Sequence, residues 1–193
     1  MSKFDSKFLT EEDLGEEPDS GGYRIFNEGD GSDTQFAVEF DGHVLELEQV
    51  PSDQTIGHGA VVWEAAVIFS KYMQLNNSKV LSHSSLVGKT VLELGSGPGL
   101  AGCAMMLRGA KVTLTDLGVV TRELTERNAR SIYKRIVSKG SGATLMPLSA
   151  PLVHPLDWTD KDNVKDLVKN ARSVLYVNHA RVISPFYSCH TSY

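Results

Sequence analysis

The stretch Val91-Leu92-Glu93-Leu94-Gly95-Ser96-Gly97-Pro98-Gly99-Leu100 decides the fold. Apolar β-forming residues run into a tight glycine turn, and a helical pattern from Leu100 to Leu107 begins at once. That is the strand-loop-helix opening of a nucleotide-binding α/β sheet. Glycine lets the backbone turn sharply there and approach a ligand closely. A second strand, Lys111 to Thr115, ends in Asp116, about twenty residues after the loop, where such folds bond a ribose. Asp116 also stands where a helix cap would. Its position after the glycine loop favours the ribose role.

Charge bears on which nucleotide the loop would take. A dinucleotide site holds a pyrophosphate on main-chain N–H groups at a helix N-terminus. This loop instead has the carboxylate of Glu93 just before it, and Pro98, which has no N–H to give. The spacing is Gly-x-Gly-x-Gly rather than Gly-x-Gly-x-x-Gly. A carboxylate at that point suits a ligand with a positive end, and S-adenosylmethionine carries an ammonium and a sulfonium.

At these residues the chain resembles the seven-strand S-adenosylmethionine-dependent methyltransferases. Four further features narrow the resemblance: Val62-Trp63-Glu64-Ala65-Ala66 ahead of the loop, Leu114-Thr115-Asp116-Leu117 after it, Asn128 on the next helix, and Leu156-Asp157-Trp158 beyond. Together they are similar to the small protein-lysine methyltransferases that modify chaperones and related proteins, over roughly residues 34 to 170. The resemblance implies a Rossmann-like sheet preceded by an N-terminal β-hairpin, S-adenosylmethionine as cofactor, and a protein substrate of the chaperone kind. It also implies cofactor-binding roles for Trp63, Glu93, Gly95, Ser96, Gly97, Asp116 and Trp158. On composition alone Trp63 reads as a core residue of an amphipathic helix, whereas the family's matching Trp lines the cofactor pocket. The Trp matching Trp158 lies by the adenine.

A chain of 193 residues makes one domain with a real core. Its net charge of −5, without a dense Lys/Arg cluster, leaves no electrostatic footprint for nucleic acid. Cys103 and Cys189 form no metal or disulfide pattern, and no signal peptide or apolar run of membrane length stands in the sequence. The expectation is a cytoplasmic monomer, with the nucleus as a second location, and neither nucleic acid nor membrane as partner.

Met1 to Gly22 is acidic and poor in large apolar residues after Leu14, the composition of a disordered tail. In the region 23–55, Gln35 to Phe40 and His43 to Gln49 alternate about Asp41-Gly42, a strong two-residue hairpin signal, with His43 an ordinary surface histidine. The Rossmann-like domain is expected over 56–172. It opens with a helix from Ala60 to Leu75 whose apolar face is Val61, Ala65, Ile68, Phe69 and Tyr72, followed by a polar connector, Asn76 to Gly88. After the loop, Gly102 allows close approach to the sheet, Cys103 is a small buried residue and Gly109 ends the helix. A helix from Val119 to Val137 carries Asn128, which either faces the loop or is solvated. Ala143 to Pro147 reads as a third strand, Leu148 to Pro155 as a Pro-bearing loop, and Asp160 to Lys169 as a short helix capped by Thr159 or Asp160.

Beyond Asn170 the resemblance stops, and residues 173–193 read as a divergent segment. Ser173 to Val177 can serve as a fourth strand, but it leads to Asn178-His179-Ala180 where the family has an Asp-x-x-Tyr-like motif near the transferred methyl. No catalytic residue is therefore assigned, and Cys189-His190 reads as tail rather than as nucleophile and base. The expectation is of a C-terminally truncated, incomplete sheet, with Val91 to Leu94 near an edge that Ser173 to Val177 covers at best in part. Two other functions follow from the same residues: binding of cofactor or partner without turnover, and methylation of a small molecule.

Overall fold

The structure, a computed structural model, describes residues 34–50, 56–75, 81–139, 148–157, 159–160, 162–165, 173–178 and 181–183. The expected acidic tail, the strand at Ala143 to Pro147, Trp158 and Cys189-His190 lie outside the described residues.

Strands β1 (Gln35–Phe40) and β2 (His43–Glu48) form the hairpin, with Phe40 paired to His43 across Asp41-Gly42. Both turn residues have positive φ, 48° and 77°, as a two-residue turn matched to strand twist requires. The alternation buries Phe36, Val38, Phe40, Leu45 and Leu47 in the same core as the rest of the chain. Arg108 holds the tip of the hairpin to that core. Its Nε and Nη2 donate to the two Asp41 carboxylate oxygens at 2.8 and 3.1 Å, its Nη1 donates to the Leu81 carbonyl at 2.7 Å, and its guanidinium lies 5.1 Å from the Phe40 ring centre. The buried cation thus meets an anion, a carbonyl and a π-face.

The expected helix over 60–75 is two elements. Gly57–Ala60 is a single tight turn, and helix α1 runs from Glu64 to Gln74 with Trp63 at its N-cap. Its buried face is Val67, Phe69, Ser70 and Met73, while Ile68 and Tyr72, expected inside, are exposed. The helix is apolar on most of its circumference, so periodicity does not single out a face and packing decides. Ser70 tolerates burial because its hydroxyl donates to the Ala66 carbonyl at 2.8 Å. A short helix, α2 (His83–Leu86), interrupts the connector and buries Leu86.

The main sheet has five strands in the order β5-β4-β3-β6-β7, comprising β3 (Thr90–Leu94), β4 (Lys111–Asp116), β5 (Leu152–Pro155), β6 (Ser173–Asn178) and β7 (Arg181–Ile183). Only β7 is antiparallel. Helix α3 (Leu100–Leu107) joins β3 to β4. It is buried on every side, and Gly102 meets Leu114, Val112 and the Glu93 carboxyl so closely that a Cβ would collide with them. Helix α4 (Gly118–Val120) passes through a π-helical turn, Thr121–Thr125, into α5 (Glu126–Ser138). The three together fill the span expected of one helix.

Two expectations are corrected. The segment Leu152–Pro155, read as loop, is strand β5, paired in parallel with Thr113–Asp116. Proline is tolerated because β5 is the outermost strand, where one side needs no ladder donor. The strand β3 is not near an edge: Val91, Leu92, Glu93 and Leu94 all pair with Ser173, Val174, Leu175 and Tyr176. Residues 173–178 and 181–183 supply two strands of this sheet, and Ser173 to Val177 lies in the strand it was expected to form. Beyond β5, Asp160 caps a helical turn at 162–165, accepting from the Asp162 and Asn163 N–H groups.

Candidate functional site: a cleft at the switch point of the sheet

From β3 the chain steps outward to β4 and β5, then returns to the other side of β3 as β6. The glycine loop therefore emerges at the point where strand order reverses, the place where open α/β sheets bind ligands. Gly95, Gly97 and Gly99 have φ of 69°, 50° and 95°, which explains glycine at each of these turns.

The loop uses its own donors. The Ser96 N–H donates to the Thr115 carbonyl at 2.9 Å, the Gly97 N–H to Asp116 Oδ2 at 2.8 Å, and the Gly99 N–H to the Ser96 carbonyl at 2.8 Å. Pro98 has none. From Ser96 to Gly99 no main-chain N–H is left for a pyrophosphate, in contrast to a phosphate-cradling loop. The loop carbonyls are held from behind: Thr125 Oγ1 donates to the Gly97 carbonyl at 2.6 Å, and Asn128 Nδ2 to the Pro98 carbonyl at 3.1 Å. Thr115 Oγ1 likewise donates to the Glu93 carbonyl at 2.5 Å.

An open cleft lies over this loop. Its walls include Val61, Val62 and Trp63 on one side, with Gly95, Ser96, Gly97 and Pro98 on the other, and Glu93 lines it as well. Trp63, Glu93, Gly95, Ser96 and Gly97 of the expected set thus share one cleft. Asp116 does not line it: the side chain stands one hydrogen bond behind, its oxygens accepting from Gly97 and from the Leu117 N–H at 2.7 Å. It is not the N-cap of α4, which is Leu117.

Glu93 is only 2 % exposed, and its Oε2 has no hydrogen-bond partner among the described residues. Burial pushes its carboxyl up to about 8, the Gly102 N–H opposes this in part, and the charge of Asp116 adds to the rise. Ser96 Oγ is also buried without a partner there. Cys103, behind Glu93, is buried, and desolvation followed by the charge of Glu93 raises its thiol, so it is inert packing rather than a nucleophile. Two orphaned polar groups facing one cleft, one of them a carboxyl, fit a ligand bearing a cation and a hydrogen-bonding group.

Sequence reasoning left Asn128 open and missed Thr125 and Gln49. A signal for the first two existed. Thr121, Leu124, Thr125, Asn128, Ala129, Ile132 and Ile136 form one buried stripe, so the polar members fall on core positions where a polar side chain needs a buried partner. Just beyond β5, Asp157 Oδ1 accepts from both the Thr159 hydroxyl and N–H, which holds its carboxyl below the usual carboxylate range.

An open, mostly parallel sheet with a glycine loop at its switch point and an acid ending the next strand belongs to the nucleotide-cofactor-binding α/β class. Residues 39–171 match the profile of a lysine methyltransferase family, and the chain belongs to that family. It is similar to protein N-lysine methyltransferase METTL21A of Danio rerio, 46 % identical over 84 residues that cover 42 % of this chain and 35 % of the relative. The METTL21A of Mus musculus is 38 % identical over 77 residues, covering 40 % and 32 %. EEF1A lysine methyltransferase 3 of Mus musculus is 32 % identical over 103 residues, covering 53 % and 40 %. The matched part of this chain thus spans roughly a third to two-fifths of the length of these curated relatives.

Proposed function

We propose that the cleft binds S-adenosylmethionine and that the chain serves methyl transfer to a lysine side chain of a protein, a chaperone being the expected acceptor. Membership of the lysine methyltransferase family supports the reaction class. The observation that carries the cofactor reading is the pairing of a loop whose N–H groups are spent from Ser96 to Gly99 with a buried carboxyl, lining the cleft, whose Oε2 lacks a hydrogen-bond partner among the described residues. That arrangement disfavours a pyrophosphate and favours an ammonium.

In this reading Glu93 and Ser96 hold the amino-acid end, Gly95 and Gly97 permit close approach, Trp63 closes one wall, and Asp116 serves the ribose. Trp158 is kept as the adenine neighbour. The cofactor supplies a methyl group already activated by its sulfonium. The chain's own contribution is proximity, orientation and exclusion of water. The acceptor side lies by the C-terminal end of β6, since Tyr176 pairs with Leu94 immediately before the loop. No acid or tyrosine follows there, the chain reading Val177-Asn178-His179-Ala180. No base is assigned. A cytoplasmic monomer, with the nucleus as a second location, completes the proposal.

Thermal shift with S-adenosylmethionine, S-adenosylhomocysteine and NAD at matched concentrations tests the cofactor. Stabilisation of about 2.7 kcal/mol is expected at a hundredfold excess over the dissociation constant for the first two. Stabilisation by NAD alone refutes the charge argument. Incubation with radiolabelled S-adenosylmethionine and a cell lysate tests the acceptor, with label on protein expected rather than on small metabolites.

A further inference from the structure

Glu48, Gln49 and Val50, the end of the hairpin strand β2 and the two residues after it, are bonded to both walls of the cleft. Toward the glycine loop, the Glu48 N–H donates to Asn128 Oδ1 at 2.8 Å, and Asn128 Nδ2 donates back to the Glu48 carbonyl at 2.9 Å. The same Nδ2 donates to the Pro98 carbonyl at 3.1 Å. The carboxamide stands in for the peptide unit of a neighbouring strand and passes its second N–H to the loop. Toward the other wall, Gln49 Oε1 accepts from the Val62 N–H at 3.2 Å, and the Val50 N–H donates to the Ala60 carbonyl at 2.8 Å. Asn128 and Gln49 are 2 % and 7 % exposed, so water does not substitute freely for either set of bonds.

Pro98 and Val62 both line the cleft, and they meet through this one tripeptide of the hairpin. The loop is also close to the opposite wall, since a Cβ on Gly97 would stand 3.4 Å from the Gly59 carbonyl and 3.7 Å from that of Val61. Small changes in the separation of the walls therefore change what fits between them. We propose that Asn128 and Gln49 are positioning residues that fasten the hairpin across the cleft as a tie, setting the distance between the Pro98 wall and the Val62 wall. The hairpin, which lies outside the main sheet, is then part of the binding machinery rather than an appendage. The inference rests on the cofactor reading above only for its effect on ligand affinity.

Amide exchange followed by NMR on the full chain tests the tie. In the unaltered protein the amides of Glu48, Val62 and Gly97 are expected to open with one free energy and one denaturant dependence, as a single cooperative unit. Asn128→Asp keeps the shape and loses the donor, and should speed exchange at Val62 on the far wall. Gln49→Met keeps the volume and loses the acceptor, and should speed exchange at Gly97. Each effect should be about tenfold, the loss of one or two buried bonds, while Val112 and Leu114 in β4 keep their rates. Titration with S-adenosylhomocysteine should show each single variant weakened about tenfold and the double variant little worse than either.

Effects confined to the altered wall, or unequal opening in the unaltered protein, overturn the tie. Coupled exchange with unchanged affinity overturns the positioning role. Should either variant fail to fold, the comparison of the three amides in the unaltered protein decides alone. If the unaltered chain takes up no S-adenosylhomocysteine, the cofactor reading fails, and the exchange data still judge the tie.

Discussion

Glu93→Gln isolates the charge at the centre of the site. In the fold the Glu93 carboxyl rises from 4.5 to about 8, chiefly by burial. Between those two values the folded chain keeps a proton that the unfolded chain has released. Stability then falls as pH rises through the window. Below about 4.5 both states are protonated and the cost is absent; above about 8 it is fully present. At about 1.4 kcal/mol per pH unit the upper bound is roughly 5 kcal/mol, reduced in practice by relaxation around the charge. Glutamine fills the same space and accepts the same Gly102 N–H, but does not titrate. Urea unfolding of both proteins from pH 5 to pH 8.5 should show the variant gaining on the parent as pH rises, with the gap flattening near pH 8. Parallel curves across that range would refute the assignment of a buried, protonated Glu93. The same proton makes a second readout. An ammonium placed beside Glu93 favours the ionised form, so binding of S-adenosylmethionine near pH 7 should release a proton that Glu93→Gln does not release, measurable by titration calorimetry in buffers of different ionisation heat.

Three further substitutions probe the surroundings. Asp116→Asn presents an amide group where the Gly97 and Leu117 N–H groups both need an acceptor, and it removes the charge offered to the ribose; affinity for S-adenosylmethionine by calorimetry should fall about ten- to a hundredfold. Gly102→Ala pushes a methyl group into Leu114 and Glu93 in a fully packed helix, and should destabilise by about 1 to 3 kcal/mol in denaturant titration. Arg108→Met leaves Asp41 without its partner and the hairpin tip unfastened. The cost should be about 2 kcal/mol, less than for a fully buried pair, because the Asp41 side chain retains 34 % of its exposure. Unchanged unfolding midpoints in either variant would show that the contact contributes nothing.

Much of this protein is local and was therefore legible in its sequence. The Asp41-Gly42 turn needs two positive φ angles, which that pair of residues accepts, and the alternation on either side places Phe36, Val38, Phe40, Leu45 and Leu47 inward. The loop from Gly95 to Gly99, helix α3 ending before Gly109, and Asp116 at the end of β4 likewise follow from turn chemistry and side-chain period within a few residues. The candidate site was legible to the same extent: Glu93, Gly95, Ser96 and Gly97 are neighbours in the chain, and they share the cleft.

Tertiary structure decided what depends on distant partners. Helix α1, apolar on most of its surface, buried Phe69 and Met73 but left Ile68 and Tyr72 outside, because its neighbours and not its period chose the face. The segment Leu152–Pro155 became a strand because an outer place beside β4 was open to it, and Ser173–Asn178 shielded β3 by returning to its other side. Asn128 finds its acceptors 30 and 80 residues away, at Pro98 and Glu48, so no local pattern could show that it links the loop to the hairpin. Glu93 shows the division within one side chain. Its place before the glycine loop is a fact of sequence, whereas its held proton exists only because α3, packed over it at Gly102, takes the carboxyl out of water.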